Sequence, residues 1–259
     1  MIRVGVVGAS GRSGSLVVEA IGERDDVTLH AAVVSEHSTK LGSQIRETSV
    51  YYSADLESLV GADVVIEFSK PEVSVSVAQW CAAHGVPLLV ATTGHSPEQL
   101  KAVQECGGRS AIGITSNTSL GAATLISLAK IAKGILGDDF DIEVLDLHHR
   151  MKRDAPSGTA KAIVEPLADR KDVIFCREGL RSSGEIGVVS MRGGDVAGEH
   201  TVYFLGNGER IEISHRVSSR AIFGRGAVTM ALALRVLPAG VYSAPQLLAP
   251  GAIAQPPQK

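Results

Sequence analysis

Apolar positions along the chain fall into two regimes. Up to about residue 117, short β-branched runs alternate with stretches of helical periodicity. The runs are 2–7, 27–34, 63–68, 87–91 and 111–115, and their near-continuous apolar character fits strands buried on both faces of a parallel sheet. Between them the spacing predicts helices over 16–22, 71–83 and 97–106, with a short helical stretch at 56–61. Pro71 and Pro97 open two of these, and Gly85 stops the first. That alternation predicts an α/β fold with a doubly wound parallel sheet of Rossmann type.

Beyond residue 117 the pattern changes. A long apolar helix is expected over 119–135, a strand over 141–147 and a helix over 159–170. Strands then follow at 173–176, 187–191, 199–204 and 209–214. Turns are expected at Gly193-Gly194-Asp195 and at Gly206-Asn207-Gly208, where Asn-Gly is a strong hairpin signal. This half reads as an α+β domain with a mixed sheet. A helix over 226–236 returns to the first domain, residues 241–248 add a last piece, and 255–259 form a frayed tail. The domains expected are 1–117 with 226–259, and 118–225.

The first strand runs into Gly8-Ala9-Ser10-Gly11-Arg12-Ser13-Gly14 and then a helix. Strand, glycine turn, helix is the context that makes such a loop a dinucleotide site. Gly8 permits the turn, Gly11 lets backbone meet a pyrophosphate, and Gly14 allows close helix–strand packing. Ligands bind beyond the carboxyl ends of such strands. Ala91-Thr92-Thr93-Gly94 and Thr115-Ser116-Asn117-Thr118 stand at two of those ends, and Thr92 and Thr93 are placed to touch a nicotinamide half. Plain turn formation is the alternative for these polar residues. The second strand ends in Val33-Val34-Ser35-Glu36-His37, without an early acid to hold ribose hydroxyls. Ser35, His37 or Lys40 can meet a 2′-phosphate instead, which favours NADPH slightly over NADH.

The densest chemistry lies in 143–160, EVLDLHHRMKRDAPSGTA. His148 can donate a proton near neutral pH. Lys152 is a compact cation that can also give up a proton when buried. Pro156 suits a helix entry, Gly158 admits close approach, and N–H groups around Gly158 and Thr159 favour an anion. The stretch reads as a trap for a small dianion; a basic, solvated loop is the alternative. His148 and His149 leave a strand toward opposite faces, which argues against shared ligation of a metal. His84, His95, His200 and His215 are too scattered in sequence to suggest a metal site.

Net charge of -3 over 259 residues implies no general affinity for nucleic acid or membrane, so the basic run acts locally. Aromatics at 4% argue against base stacking. Cys81, Cys106 and Cys176 are odd in number and widely spaced, as expected of buried free thiols in a reducing cytoplasm. No signal region is visible, and Lys130 and Lys133 interrupt the longest apolar stretch, so no membrane span is expected.

The 143–160 stretch resembles the signature of dihydrodipicolinate reductases, E-[I/V]-x-E-x-H-x-x-x-K-x-D-x-P-S-G-T-A. Glu143, Val144, His148, Lys152, Asp154, Pro156, Ser157, Gly158, Thr159 and Ala160 match it; Asp146 stands where the family usually has glutamate. The glycine loop, the Ala91-Thr92-Thr93-Gly94 turn, Asn117, and Gly184 to Thr201 resemble further family patterns, with Ala91 in place of a glycine. The resemblance implies reduction of 4-hydroxy-tetrahydrodipicolinate by NADPH or NADH, with loss of water, in lysine biosynthesis. It implies proton donors at His148 and Lys152, and substrate carboxylate contacts at His149, Lys152, Gly158 and Thr159. Cofactor contacts are implied at Gly8, Ala9, Ser10, Gly11, Arg12, Ser13, Ser35, Ala91, Thr92, Thr93, Thr115, Ser116, Asn117 and Thr118. A homotetramer built on the second sheet is implied too, while Gly198 and His200 read as structural. A reductase of another small dicarboxylate, or a nucleotide-binding sensor without catalysis, stays open.

Overall fold

A computed structural model describes residues 1–168 and 172–248. They form two compact units, Met1–Ser119 with the chain from Ala221 onward, and Leu120–Arg220. The first unit starts with β1 (Ile2–Val7), α1 (Arg12–Gly22), β2 (Val27–Val33), β3 (Tyr52–Ser53), β4 (Val64–Glu67), α2 (Pro71–His84), β5 (Leu88–Val90), α3 (Pro97–Glu105) and β6 (Ala111–Ile114). The second contains α4 (Leu120–Leu136), β7 (Asp141–His148), α5 (Gly158–Ala168), β8 (Val173–Phe175), β9 (Ile186–Arg192), β10 (Glu199–Leu205) and β11 (Arg210–Arg216). The chain then returns through α6 (Ala221–Leu234), β12 (Gly240–Ser243) and α7 (Ala244–Leu247).

The first unit is a seven-stranded sheet in the order β12-β6-β5-β4-β1-β2-β3, and every pairing is parallel. The order reverses at β1, which is where a doubly wound sheet opens its crevice. Val4, Val6, Ile66, Leu88, Leu89 and Ile112 are fully buried, each worth about 1.5–3 kcal/mol against exposure. Helix starts follow backbone geometry more than apolar spacing. α1 begins at Arg12, not 16, because extended Gly11 (φ -74°, ψ 169°) already caps it. α6 begins at Ala221, not 226. Gly224 is no break there: a Cβ on it would lie 2.1 Å from the Leu16 carbonyl oxygen, so α6 packs tightly on α1. The stretch 241–248 divides into an edge strand and a helical turn. β3 carries too little sequence to show a period.

The second unit is a five-stranded mixed sheet, β11-β10-β7-β9-β8. β10 runs antiparallel to β7 and β11, while β9 runs parallel to β7 and β8. The turn expected at Gly193-Gly194-Asp195 therefore does not close a hairpin, since β7 lies between β9 and β10. The Asn-Gly hairpin does join β10 to β11, with Gly208 at φ +89°. Along β7, Ile142, Val144, Asp146 and His148 are buried in alternation. Ile142 and Val144 join Leu125, Ala129, Ile163 and Leu167 of α4 and α5 in one core.

Three expectations change. Pro156 is not a first-turn residue: a cis Ala155–Pro156 bond precedes α5, which opens at Gly158. The expected end of that helix at 170, like the tail at 255–259, lies outside the described residues. Cys176 is exposed, because the chain leaves the edge strand β8 there at φ +55°; Cys81 and Cys106 are buried. Leu120–Asp139 is, by length and composition, apolar enough to cross a membrane despite its lysines. Leu125 and Ala129 are nevertheless committed to the unit's core, while Ile131 and Ile135 are exposed.

Candidate active site

The second unit builds its chemistry around Asp146, which in the sequence stands out only as a departure from the signature stretch. Asp146 sits on the inward phase of β7 and is 0% exposed. Its Oδ1 lies 2.9 Å from His148 Nδ1 and 3.3 Å from His200 Nε2. Its Oδ2 accepts hydrogen bonds from Ser157 N–H (2.9 Å), Arg192 Nη2 (3.0 Å) and the Ser190 hydroxyl (3.1 Å). Burial alone would raise this carboxyl, but His148, His200 and Ser157 outweigh it and hold the group well below the ordinary carboxylate range.

The same hub folds the basic loop. Ser157 N–H brings the start of α5 back under β7, and the Ser157 hydroxyl accepts from Ala160 N–H at 3.1 Å as an N-cap. Arg192 also donates to the Asp154 carbonyl oxygen (2.7 Å), so the loop is stapled at both ends. The Gly193-Gly194 turn lies along the departing strand, through Gly193 N–H to His148 O (2.9 Å) and Arg150 N–H to Gly194 O (3.2 Å). His148 ends β7 and is buried; His149 stands just past it, half-buried. With Nδ1 beside the carboxylate, Nε2 is the His148 nitrogen left to exchange a proton. Gly198 leaves it room: a Cβ there would stand 3.0 Å from Nε2.

Lys152 is half-buried, with Nζ 2.9 Å from Asp154 Oδ1. Burial raises the Asp154 carboxyl, and Lys152 more than reverses that. Gly158 is exposed at the first helical position and Thr159 is buried behind it. Asp146, His148 and His200 hold ligand-type atoms within 4.8 Å of one another, a spacing that would also suit a metal ion. The Arg192 guanidinium on the same carboxylate counts against a second cation there. His200 is thus part of the cluster, 52 positions from His148 in sequence and edge-on to its ring at 5.2 Å.

In the first unit the residues named as cofactor contacts gather at the carboxyl ends of β1, β2, β5 and β6. The backbone is shaped as a phosphate turn requires. Gly8 has φ +79° and a Cβ on it would lie 2.0 Å from Phe68 O; one on Gly14 would lie 2.1 Å from Gly8 O. Ala9 is buried, while Gly11 and Arg12 are exposed at the N-terminus of α1. Ser10 faces the Ser38 hydroxyl at 3.3 Å, and Ser13 is half-buried. Val34 is buried, and Ser35, His37 and Lys40 are exposed beyond β2. Ala91 and Thr92 are buried; Thr93 is exposed. The Thr115 hydroxyl donates to Asn117 O (2.7 Å), the Thr118 hydroxyl to Phe223 O (2.8 Å), and Asn117 Oδ1 accepts from Ser119 N–H (2.8 Å). Those side chains shape the loop, and Ser116 is the exposed one. Glu67, at the end of β4, escaped notice and is fully buried among these strand ends.

Residues 2–118 match the family model for the dihydrodipicolinate reductase N-terminus, and 121–248 match that for its C-terminus. The chain belongs to the dihydrodipicolinate reductase family. It is 40% identical to the 4-hydroxy-tetrahydrodipicolinate reductase of Syntrophotalea carbinolica, over 96% of this chain and 99% of that one. Likeness to the enzyme of the same name from an Anaeromyxobacter species is also 40%, over 96% and 98%. A dipicolinate-bound dihydrodipicolinate reductase from Paenisporosarcina sp. TG-14 shares the fold, with TM-score 0.78, 23% identity, and 94% and 97% of the two chains covered. Within the family's signature stretch, Asp146 departs by one methylene and carries the hydrogen bonding described above. Alternation along β7 was the available signal, since Ile142 and Val144 put Asp146 on the buried phase.

Proposed function

We propose that the chain reduces 4-hydroxy-tetrahydrodipicolinate to tetrahydrodipicolinate with loss of water, in lysine and diaminopimelate biosynthesis. The observation that carries this reading is likeness at 40% identity over 96% of the chain to enzymes of that name. NAD(P)H, held by Gly8 to Ser13, Ser35, Ala91 to Thr93 and Thr115 to Thr118, supplies the hydride when bound. The glycine geometry fits it, since Gly8 and Gly14 stand where no Cβ has room.

On the substrate side, the roles follow from charge and donor geometry. His148 carries a proton at Nε2, held in orientation by Asp146 at Nδ1. Lys152 Nζ gives up Asp154 for a substrate carboxylate, a charge-assisted exchange that costs little because Asp154 is exposed. His149, Gly158 and Thr159 hold the other carboxylate at the start of α5, where the helix dipole favours negative charge. The dianionic ring is thereby pinned, and the unit Leu120–Arg220 acts as the substrate-binding domain.

A coupled assay tests this: the preceding synthase generates the unstable substrate and NADPH loss is followed by absorbance. Turnover supports the reading. Tight NADPH binding without turnover would favour a nucleotide sensor, and turnover only on another small dicarboxylate would favour a different reductase.

Cofactor preference rests on the end of β2. Buried Val34 offers no carboxylate to a ribose, and Ser35, His37 and Lys40 are exposed beside it. KM for NADPH is expected to be lower than KM for NADH; a strong NADH preference would defeat the lean. Assembly rests on the uncovered side of the second sheet, where Val189 (47% exposed) and Met191 (50%) lie beside Leu145 and Leu147. Such an apolar face fits burial against other copies, and the family resemblance implies four of them, so equilibrium sedimentation is expected to show four chains of 27.0 kDa; a monomer would refute it. Three free cysteines support a reducing, cytoplasmic location, which cell fractionation checks.

A further inference from the structure

A charged side chain is buried in the first unit, and the chemistry proposed above makes no use of it. Glu67 ends β4 and is 0% exposed. Neutral donors converge on it. Oε1 accepts from Ser69 N–H (2.6 Å), from the Ser69 hydroxyl, and from the Thr92 hydroxyl (2.7 Å). Oε2 accepts from the Ser74 hydroxyl (2.8 Å). Burying a carboxylate is costly unless hydrogen bonds replace its water, and here one backbone N–H and three hydroxyls do so.

These donors belong to three separate segments: the loop after β4, the first turn of α2, and the loop after β5. Ser69 N–H also reaches Thr92 Oγ1 at 2.7 Å, which closes a ring between two strand ends. The backbone on either side is tied into the sheet, Phe68 N–H to Val7 O and Ala91 N–H to Glu67 O, both at 2.9 Å. A Cβ on Gly8 would strike the next peptide along, Phe68–Ser69, whose N–H donates to Glu67. Glu67 therefore holds together the loop after β4 and the ledge that ends in exposed Thr93, and none of its hydrogen bonds goes to the Gly8 to Ser13 turn.

We propose that Glu67 is a positioning residue for the nicotinamide half of the cofactor, acting through Thr92 and Ser69. This rests on the NAD(P)H reading above. The Thr92 hydroxyl is spent on Glu67, so the cofactor meets the ledge that the hydroxyl supports. Glutamine at position 67 offers one acceptor oxygen in place of two and turns an amide donor toward donors. The ledge then loosens, while the Gly8 to Ser13 turn, with its own backbone bonds, keeps its grip on the pyrophosphate.

The test is direct binding, by fluorescence titration with NADPH and calorimetry with ADP-ribose, which lacks nicotinamide. Glu67→Gln is expected to weaken NADPH about tenfold, from lost buried hydrogen bonds, and to leave ADP-ribose within about twofold. Thr92→Val, which deletes the hydroxyl at nearly constant volume, is expected to do the same and serves if Glu67→Gln does not fold. Equal weakening of both ligands would mean a merely structural role and overturn the proposal, as would unchanged NADPH binding. Because binding is read without turnover, an inactive native chain would refute the reaction and leave this inference standing.

Discussion

Replacing Lys152 or His148 by alanine is expected to lower kcat by about a hundredfold or more, the usual cost of losing a positioned acid or its charge. The two variants should differ in kind. His148→Ala removes the proton carrier at the end of β7 but leaves the loop stapled by Ser157 and Arg192, so KM for the substrate should change little. Lys152→Ala removes the cation from a half-buried position, and loss of a ground-state ion pair raises KM as well. A Lys152→Arg variant keeps the charge but puts a planar fork where a compact ammonium stood, so it should restore binding more than turnover. Steady-state kinetics with the coupled assay decide this. Near-normal kcat in both alanine variants would remove these residues from the chemistry.

Asp146→Asn is expected to be the most damaging isosteric change in the second unit. The carboxylate compensates Arg192, lies against two histidine rings and accepts from Ser157 N–H. Breaking a buried ion pair from one side typically costs about 3–5 kcal/mol, because the remaining charge stays buried and unpaired. The loss should carry a pH signature. The folded carboxyl sits below its unfolded value, so its contribution is fully present above about pH 4 and is lost as pH falls below that. The stability gap between native chain and variant, from urea unfolding at a series of pH values, should be widest near neutrality and narrow in acid. A gap that is constant with pH would mean the charge is not what matters. The variant's kcat should also fall, since Nδ1 of His148 loses the group that orients it.

Much of the first unit is legible in local pattern. Buried parallel strands are continuous apolar runs, and Pro71, Gly85 and Pro97 punctuate the helices between them, so existence and order follow from residue type alone. The misses have physical causes. Arg12 to Ser15 are helical without any apolar residue, because a capped turn starts the helix. Gly224 lies inside a helix because α1 presses against it, a contact that no local pattern records. β3 is two residues long, below any period.

The amino-acid sequence alone determined the strand–glycine–helix opening, the cationic loop after β7, and the family to which the chain belongs, because each is a matter of residue type at short spacing. Tertiary structure decided what those residues touch. Asp146 meets Arg192 across 46 positions and His200 across 54, and Glu67 meets Thr92 across 25. Such contacts depend on strand order: β7 lies between β9 and β10 through sheet pairing that chain proximity does not set. A buried carboxylate is held by whichever donors that order brings to it, and only the folded chain shows which they are.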